Sequence, residues 1–354
     1  MSSATAFRAM DFLAAESGDT CTVTFFGGEP LTELPLLKQV VEYSRKEHGN
    51  RFQFRMSTNG TLLDPSTIRY LTENEIYFVL SLDGSEAQHD RNRCFQGGRG
   101  SFSQAVRFLP QVLDANPYTL AVSVVAPNTV PMVAEGVQDL FARGFRYVLQ
   151  TLDYSADWKP GHLKDLRAEY QELSTFYGDA LRTGRKLYYS PFDERIKTWA
   201  QKPYGKGDLC DLANSQIAIA ASGRIYPCVQ FIGADEEAAP GPSLGDVFSG
   251  FEDGRRSWFI SENYSDKASC QGCALEGRCA TWCGCVNWRA TGDLKTIPPI
   301  ICEHERMLLP IVDRLASGLW KENVELFRRK FYDRSYPVSS WVEDCLLERE
   351  AKQC

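Results

Sequence analysis

CTVTFFGGEPLTELPLLKQVVEYSRKE, residues 21–47, is the stretch that decides the fold. CTVTFF (21–26) is dense in β-branched and aromatic residues and reads as a strand. GGEP (27–30) is a turn, and LPLLKQVVEYSRKE (34–47) spaces its apolar residues as an amphipathic helix does. The same unit recurs downstream. RFQFRMS (51–57) precedes the helical PSTIRYLTEN (65–74), and YFVLSL (77–82) precedes SFSQAVRFLPQVLDA (101–115). TLAVSVV (119–125) precedes VPMVAEGVQDLFARG (130–144), and RYVLQTL (146–152) supplies a fifth strand. Strands alternating with helices imply a parallel sheet or barrel. GGEP (27–30), STNG (57–60) and SLDG (81–84) sit at the C-terminal ends of three successive strands. Parallel βα folds carry their sites at that edge. Each turn alone is equally well a plain connection; three at one edge point to a site.

Composition narrows the class. The chain has 354 residues, 43% hydrophobic and 24% charged, which fits a globular protein with a sizeable core. A net charge of -7 without a long basic run argues against nucleic acid as a partner. No stretch approaches the roughly 20 apolar residues of a membrane span. The start, MSSATAFRAMDFLAAESGD, lacks a charged opening followed by an apolar core and so does not read as a secretory signal. A cytoplasmic location is expected. In such a reducing compartment, clustered cysteines are metal ligands more often than disulfides.

The cysteines are clustered. CQGCALEGRCATWCGC (270–285) holds Cys270, Cys273, Cys279, Cys283 and Cys285. Upstream, Cys210 is followed by twelve residues, Gly223, four residues and Cys228; downstream stands Cys302. Eight thiols between 210 and 302 are enough for two four-ligand sites. Thiolates suit zinc or iron–sulfur clusters. The CxxC spacing alone leaves the two open.

With the N-terminal half beside them, the motifs carry a resemblance. FFGGEPL, STNGTLL and SLDGSEAQHDRNR resemble the S-adenosylmethionine (SAM) half of radical SAM enzymes. The array C-x12-G-x4-C, then CxxC-x5-C-x3-C, then C resembles that family's SPASM extension, which holds auxiliary iron–sulfur clusters. The two blocks cover most of residues 1–305. The resemblance implies an α/β fold: a partial (βα)6 TIM-like barrel missing its first strand, then a small cysteine-rich SPASM domain and a C-terminal helical tail. The divisions expected are 1–153 for the barrel, 154–209 for a bridging helical and aromatic segment, 210–305 for the SPASM domain and 306–354 for the tail.

The resemblance also implies roles. The GGEP turn (Gly27, Gly28, Glu29, Pro30) would meet the amino group of SAM. Ser81 would help hold the SAM carboxylate or ribose, with Arg93, rather than Arg91, as the charged partner. Asn59 is a further candidate, though a turn role serves equally, and Asp83 reads equally as a cap or turn residue. Cys270, Cys273, Cys279 and Cys302 would hold an outer [4Fe-4S] cluster, and Cys210, Cys228 and Cys283 an inner one. That leaves the inner cluster one ligand short. Cys285 could fill the place, or an open iron could bind a substrate thiolate.

One departure matters. Radical SAM enzymes hold the SAM-binding cluster on CxxxCxxC. This sequence has no such motif; before residue 210 its cysteines are Cys21 and Cys94. Ala6, Met10 and Leu13, with Phe7 and Phe12 nearby, form the apolar face of the helix that follows that loop in relatives. The expectation is a late-assigned start or a fragment, and a chain that does not cleave SAM by itself.

Function follows from the family as an expectation: an oxidoreductase that matures a peptide or protein through a SAM-derived radical. Its partners would be a peptide or protein substrate and an electron donor such as a flavodoxin or ferredoxin. Sulfatase-maturing relatives carry an aspartate directly after the second SPASM cysteine. Here Val229 and Gln230 follow Cys228, and neither takes a proton near neutral pH, which favours maturation of another peptide class. The aromatics Trp158, Tyr170, Phe176, Tyr177, Tyr188, Tyr189, Trp199 and Tyr204 could line a peptide groove or simply pack. ADEEAAPGP (234–242) reads as a surface loop. The alternative function is a non-catalytic iron–sulfur or zinc protein that binds a peptide or a partner enzyme.

Overall fold

A computed structural model gives the whole-chain architecture and describes residues 1–205, 208, 210–233, 242–279 and 283–353, with side chains to 347. The acidic loop, up to residue 241, lies outside the described residues. The chain runs α1 (Ser3–Glu16), β1 (Cys21–Phe25), α2 (Leu34–His48), β2 (Phe52–Thr58), α3 (Pro65–Glu73), β3 (Tyr77–Ser81) and the short α4 (Glu86–His89) and α5 (Phe102–Ala105). Next come α6 (Leu109–Ala115), β4 (Leu120–Val125), α7 (Val133–Ala142), β5 (Tyr147–Leu152), α8 (Pro160–Arg182), β6 (Tyr188–Tyr189) and α9 (Ser190–Ala200). The C-terminal part holds β7 (Ala218–Ile219), β8 (Arg224–Tyr226), β9 (Gly245–Asp246), β10 (Gly250–Phe251), α10 (Arg255–Tyr264) and α11 (Gly284–Thr291). It ends with α12 (Pro299–Lys321), α13 (Glu325–Tyr332) and α14 (Tyr336–Gln353).

Strands β1 to β6 form one sheet in sequence order, every neighbouring pair parallel. The sixth strand falls in the stretch assigned from sequence to the bridging segment. At two residues it is too short to show a period, so only its pairing with β5 reveals it. The helix read over 101–115 is two helices. Pro110 opens α6, and a proline cannot continue the preceding turn because it lacks the N–H and crowds the residue before it.

A second sheet, β10-β9-β8-β7, is antiparallel and underlies the thiol-rich part. Gly223, the glycine within the cysteine array, turns the β7–β8 hairpin with φ +102°, a conformation side chains rarely adopt. Each sheet has its own apolar core, and α1 serves both. Ala6, Met10 and Ala14 join the barrel core, while Ala9 and Phe12 join the second, where Phe12 meets Phe251 edge-on at 5.3 Å. Helix α12 packs on α8 and α9, where the Arg195–Glu305 ion pair is buried. Among the described residues no helix is long and apolar enough to cross a membrane.

The aromatic segment resolves into packing. Tyr170, Tyr177 and Tyr189 are each 1% exposed, and all three rings gather on Phe192. They are core residues and line no groove.

Candidate functional site

The parallel sheet is covered on one face only. Phe54, Met56, Leu80, Ala121 and Val148 point to the helix side and are buried. The residues that alternate with them remain at least partly accessible: Thr24, Arg55 and Ser57, then Val79, Ser81, Val122 and Val124, then Leu149 and Thr151. Register places Ser57 beside Val79, Ser81 beside Val122, and Val122 beside Leu149. Parallel sheets are normally buried on both faces, so an open apolar–polar face with Leu149 at 40% exposure is where a ligand fits. The N-terminal rim is closed. The Asp344 carboxylate on α14 accepts from Tyr118 Oη (3.2 Å), Arg146 Nη1 (2.8 Å) and Lys186 Nζ (3.0 Å), from the segments that lead into β4, β5 and β6. Access is therefore from the C-terminal rim, where the three predicted turns lie.

Two of those turns are one structure. Glu29 Oε1 accepts from Leu31 N (3.0 Å) and Thr58 Oγ1 (2.8 Å), and Oε2 accepts from Asn59 N (2.7 Å). The carboxylate thus caps its own turn and ties it to the STNG turn. Three donors occupy most of the roughly four acceptor positions a carboxylate offers, so Glu29 acts chiefly by holding the loop. Gly27 and Gly28 are exposed, and a Cβ added at either would meet nothing within 4 Å. Their backbone carbonyls are left for a ligand. The Asn59 side chain accepts from Thr61 N (2.9 Å) and Thr61 Oγ1 (2.7 Å), which is the turn role.

The third turn is organised by an ion pair. Arg93 Nε and Nη2 donate to Asp83 Oδ2 (2.7 Å) and Oδ1 (2.9 Å), and Asp83 is 3% exposed. Asp83 Oδ1 also accepts from Val124 N (2.9 Å), and its carbonyl accepts from Ser123 Oγ (3.0 Å). Asp83 N donates to His89 Nδ1 (3.4 Å). That makes His89 Nε2 the protonated nitrogen, facing Ser101 Oγ at 3.1 Å, and Ser101 passes its own proton to Arg93 O (2.8 Å). Burial pushes the His89 pKa down to about 4, so the ring is neutral. The arginine assigned from sequence to SAM therefore spends the fork of its guanidinium on Asp83, leaving Nη1 for a ligand. Sequence reasoning named Asp83 only as a cap or turn residue. Ser81 stands on the open face, beside this cluster.

The thiols form two groups. Cys210, Cys228, Cys283 and Cys285 make up the inner one: Cys285 shares a side-chain hydrogen bond with each of the other three. Those bonds lower the pKa of Cys210, Cys228 and Cys283 and raise that of Cys285. Cys228 also accepts from Gln216 Nε2 (3.4 Å). Backbone hydrogen bonds from the Gln230 and Val229 positions further favour the Cys228 thiolate, and those from Val286 and Cys285 favour Cys283. Asn263 Nδ2 donates to Cys210 O (2.7 Å), and Gly284 lets α10 approach, since a Cβ there would lie 2.5 Å from Asn263 Oδ1.

In the outer group, Cys302 on the first turn of α12 is in the field of Cys270, Cys273 and Arg306. Cys279 is buried, beside Arg278, whose guanidinium grips Asp313 on α12 at 2.7 and 2.9 Å. An open cleft of about 570 Å³ is lined by Cys273, Gln271, Leu275 and Arg306 among others. Lys267 stands in the field of Cys270. Among the described residues no three His, Cys, Asp or Glu side chains converge as they would on a single metal ion. The donor chemistry fits a cluster instead: all-thiol sets, three of the thiols buried and five partly so, with N–H donors aimed at sulfur and cations nearby.

Residues 1–159 match the radical SAM superfamily. A cysteine-type anaerobic sulfatase-maturating enzyme of Clostridium perfringens is 26% identical over 229 residues, 60% of this chain and 60% of that enzyme. The radical SAM cyclopropyl synthase TigE of Paramaledivibacter caminithermalis is 21% identical, over 86% of this chain and 62% of its own length. The chain thus aligns with less than two thirds of each relative's length. Among solved structures, native anSMEcpe with bound AdoMet and the Cp18Cys peptide superposes with a TM-score of 0.72 at 20% identity, covering 90% of this chain and 92% of that one. At that identity the likeness establishes the fold.

Proposed function

We propose that this protein is a radical SAM/SPASM oxidoreductase that modifies a peptide or protein. In this superfamily, SAM cleaved at a [4Fe-4S] cluster supplies a 5'-deoxyadenosyl radical that abstracts a hydrogen atom from the substrate. The open sheet face, in a chain that also gathers two thiol groups, is the observation that carries the reading. Gly27 and Gly28 would offer carbonyls to the SAM ammonium, on a turn that Glu29 and Pro30 hold in shape. Ser81, with Arg93 Nη1, would take the carboxylate or ribose. Asn59 serves by shaping the neighbouring turn.

Cys270, Cys273, Cys279 and Cys302 would hold an outer [4Fe-4S] cluster, and the inner thiols a second. A flavodoxin- or ferredoxin-type partner would donate the electrons that the chemistry needs. The peptide-bound relative supports a peptide substrate. The absence of a carboxylate after Cys228 supports a substrate other than a sulfatase. Gln230 there accepts from Arg289 Nη1 at 3.0 Å and faces solvent.

The 354 residues contain no CxxxCxxC. This chain alone should therefore release no 5'-deoxyadenosine from SAM under strong reductant; the second reading is a cluster protein that binds a peptide or partner enzyme. The test is anaerobic reconstitution followed by iron, zinc and labile-sulfide analysis, with a SAM-cleavage assay on the same sample. Iron and sulfide without cleavage are expected. Zinc without sulfide would overturn the cluster assignment, and 5'-deoxyadenosine production would overturn the inactivity.

A further inference from the structure

The sequence leaves the inner centre with three ligands and two ways to complete it: Cys285, or a group from the substrate. We infer that Cys285 is the fourth ligand, so the inner cluster is closed by four protein thiolates and has no iron open to a substrate thiolate. The inference rests on the cluster reading above and goes beyond it.

Three observations carry it. Cys285 and Cys228 belong to one apolar cluster, and Cys210 and Cys283 pack against it, so the four residues already share one core. Second, Cys285 is 2% exposed and belongs to the same apolar cluster as Cys228, Phe231, Phe259 and Leu294. It cannot serve as an outward-facing thiol. Third, the backbone solves the reach from 283 to 285. Residues two apart inside one helix point away from each other. Cys283, however, is the extended residue ahead of α11, with φ -83° and ψ 93°, while Cys285 lies inside the helix. That change of conformation across Gly284 lets both thiols face the same side.

The remaining described cysteines are elsewhere: Cys270, Cys273, Cys279 and Cys302 in the outer part, Cys21 and Cys94 in the barrel, Cys345 on α14. Ligation converts the Cys285 thiol to a thiolate and releases its proton to solvent.

The test is anaerobic reconstitution of the full chain and of Cys285→Ala, Cys285→Ser and Cys270→Ala. Each is assayed for iron and sulfide and examined by EPR with and without a small added thiol. The wild-type spectrum should not respond to the thiol. Cys285→Ala should lose inner-cluster iron to a three-iron signal, or bind the added thiol with a shifted spectrum. Cys270→Ala should disturb the other cluster. The serine variant, closest in size, covers the case in which alanine does not fold. A wild-type spectrum that shifts with thiol, or Cys285 variants that keep wild-type iron and signals, would overturn the inference while leaving the two-cluster reading intact. Zinc without sulfide in the wild-type chain would instead sink both.

Discussion

Arg93 and Asp83 face each other in a two-pronged ion pair, Nε to Oδ2 at 2.7 Å and Nη2 to Oδ1 at 2.9 Å. The pair locks the loop after β3 against β4, because Asp83 also accepts from Val124 N. Asp83 is buried, so removing it strands the guanidinium and an amide. Asp83→Ala should cost on the order of 3–5 kcal/mol of stability, read by urea unfolding. Arg93→Lys keeps the charge but cannot bridge both oxygens, and should lose less. Equal losses would show that the fork geometry is unimportant.

Glu29 joins two rim turns through three hydrogen bonds. In Glu29→Gln one acceptor oxygen becomes a donor, which sets two N–H groups against each other. Amide exchange at Leu31 or Asn59 should accelerate severalfold while that of the β2 core stays unchanged. Unchanged exchange at both amides would remove Glu29 from this role.

His89 is neutral when folded, with a pKa lowered to about 4, chiefly by burial, although Asp83 and Asp90 oppose the shift. Its unfolded value is about 6.5. A depressed folded pKa contributes stability that is complete above about 6.5 and is lost as pH falls toward about 4. The loss should be on the order of 3 kcal/mol at the low end. His89→Gln retains a donor and an acceptor but does not titrate, so its stability should fall less over the same range. Parallel pH curves for the two proteins would contradict this.

Arg306 is exposed, lines the outer cleft, and has no hydrogen-bond or ion-pair partner among the described residues. With Lys267 it places positive charge beside thiols that would carry a cluster. Added electrons are stabilised by nearby cations. Arg306→Gln and Lys267→Gln should each lower the midpoint potential of one cluster, and Arg306→Lys should restore most of it. EPR-monitored titration would show this; midpoints unaffected by either charge removal would refute it.

The βα rhythm and the positions of the first five strands were legible in the sequence, because strand and helix periods are local properties of the chain. So were the three rim turns and the cysteine spacing, since small residues and thiols mark themselves. The sixth strand was not, being two residues long and defined only by pairing with β5. Nor was the aromatic segment: Tyr170, Tyr177 and Tyr189 look alike as groove or core until their burial is known.

The sequence by itself determined which groups exist: a glycine–carboxylate turn, a serine on a strand end, eight thiols and an arginine. The tertiary structure decided whom they face. Arg93 could be matched to a ligand until folding brought Asp83 within 2.7 Å. Cys285 was one thiol among eight until folding buried it in the cluster that holds Cys228, with Cys210 and Cys283 packed against it. Partner choice is set by distances between residues far apart in the chain, and no local pattern encodes those distances.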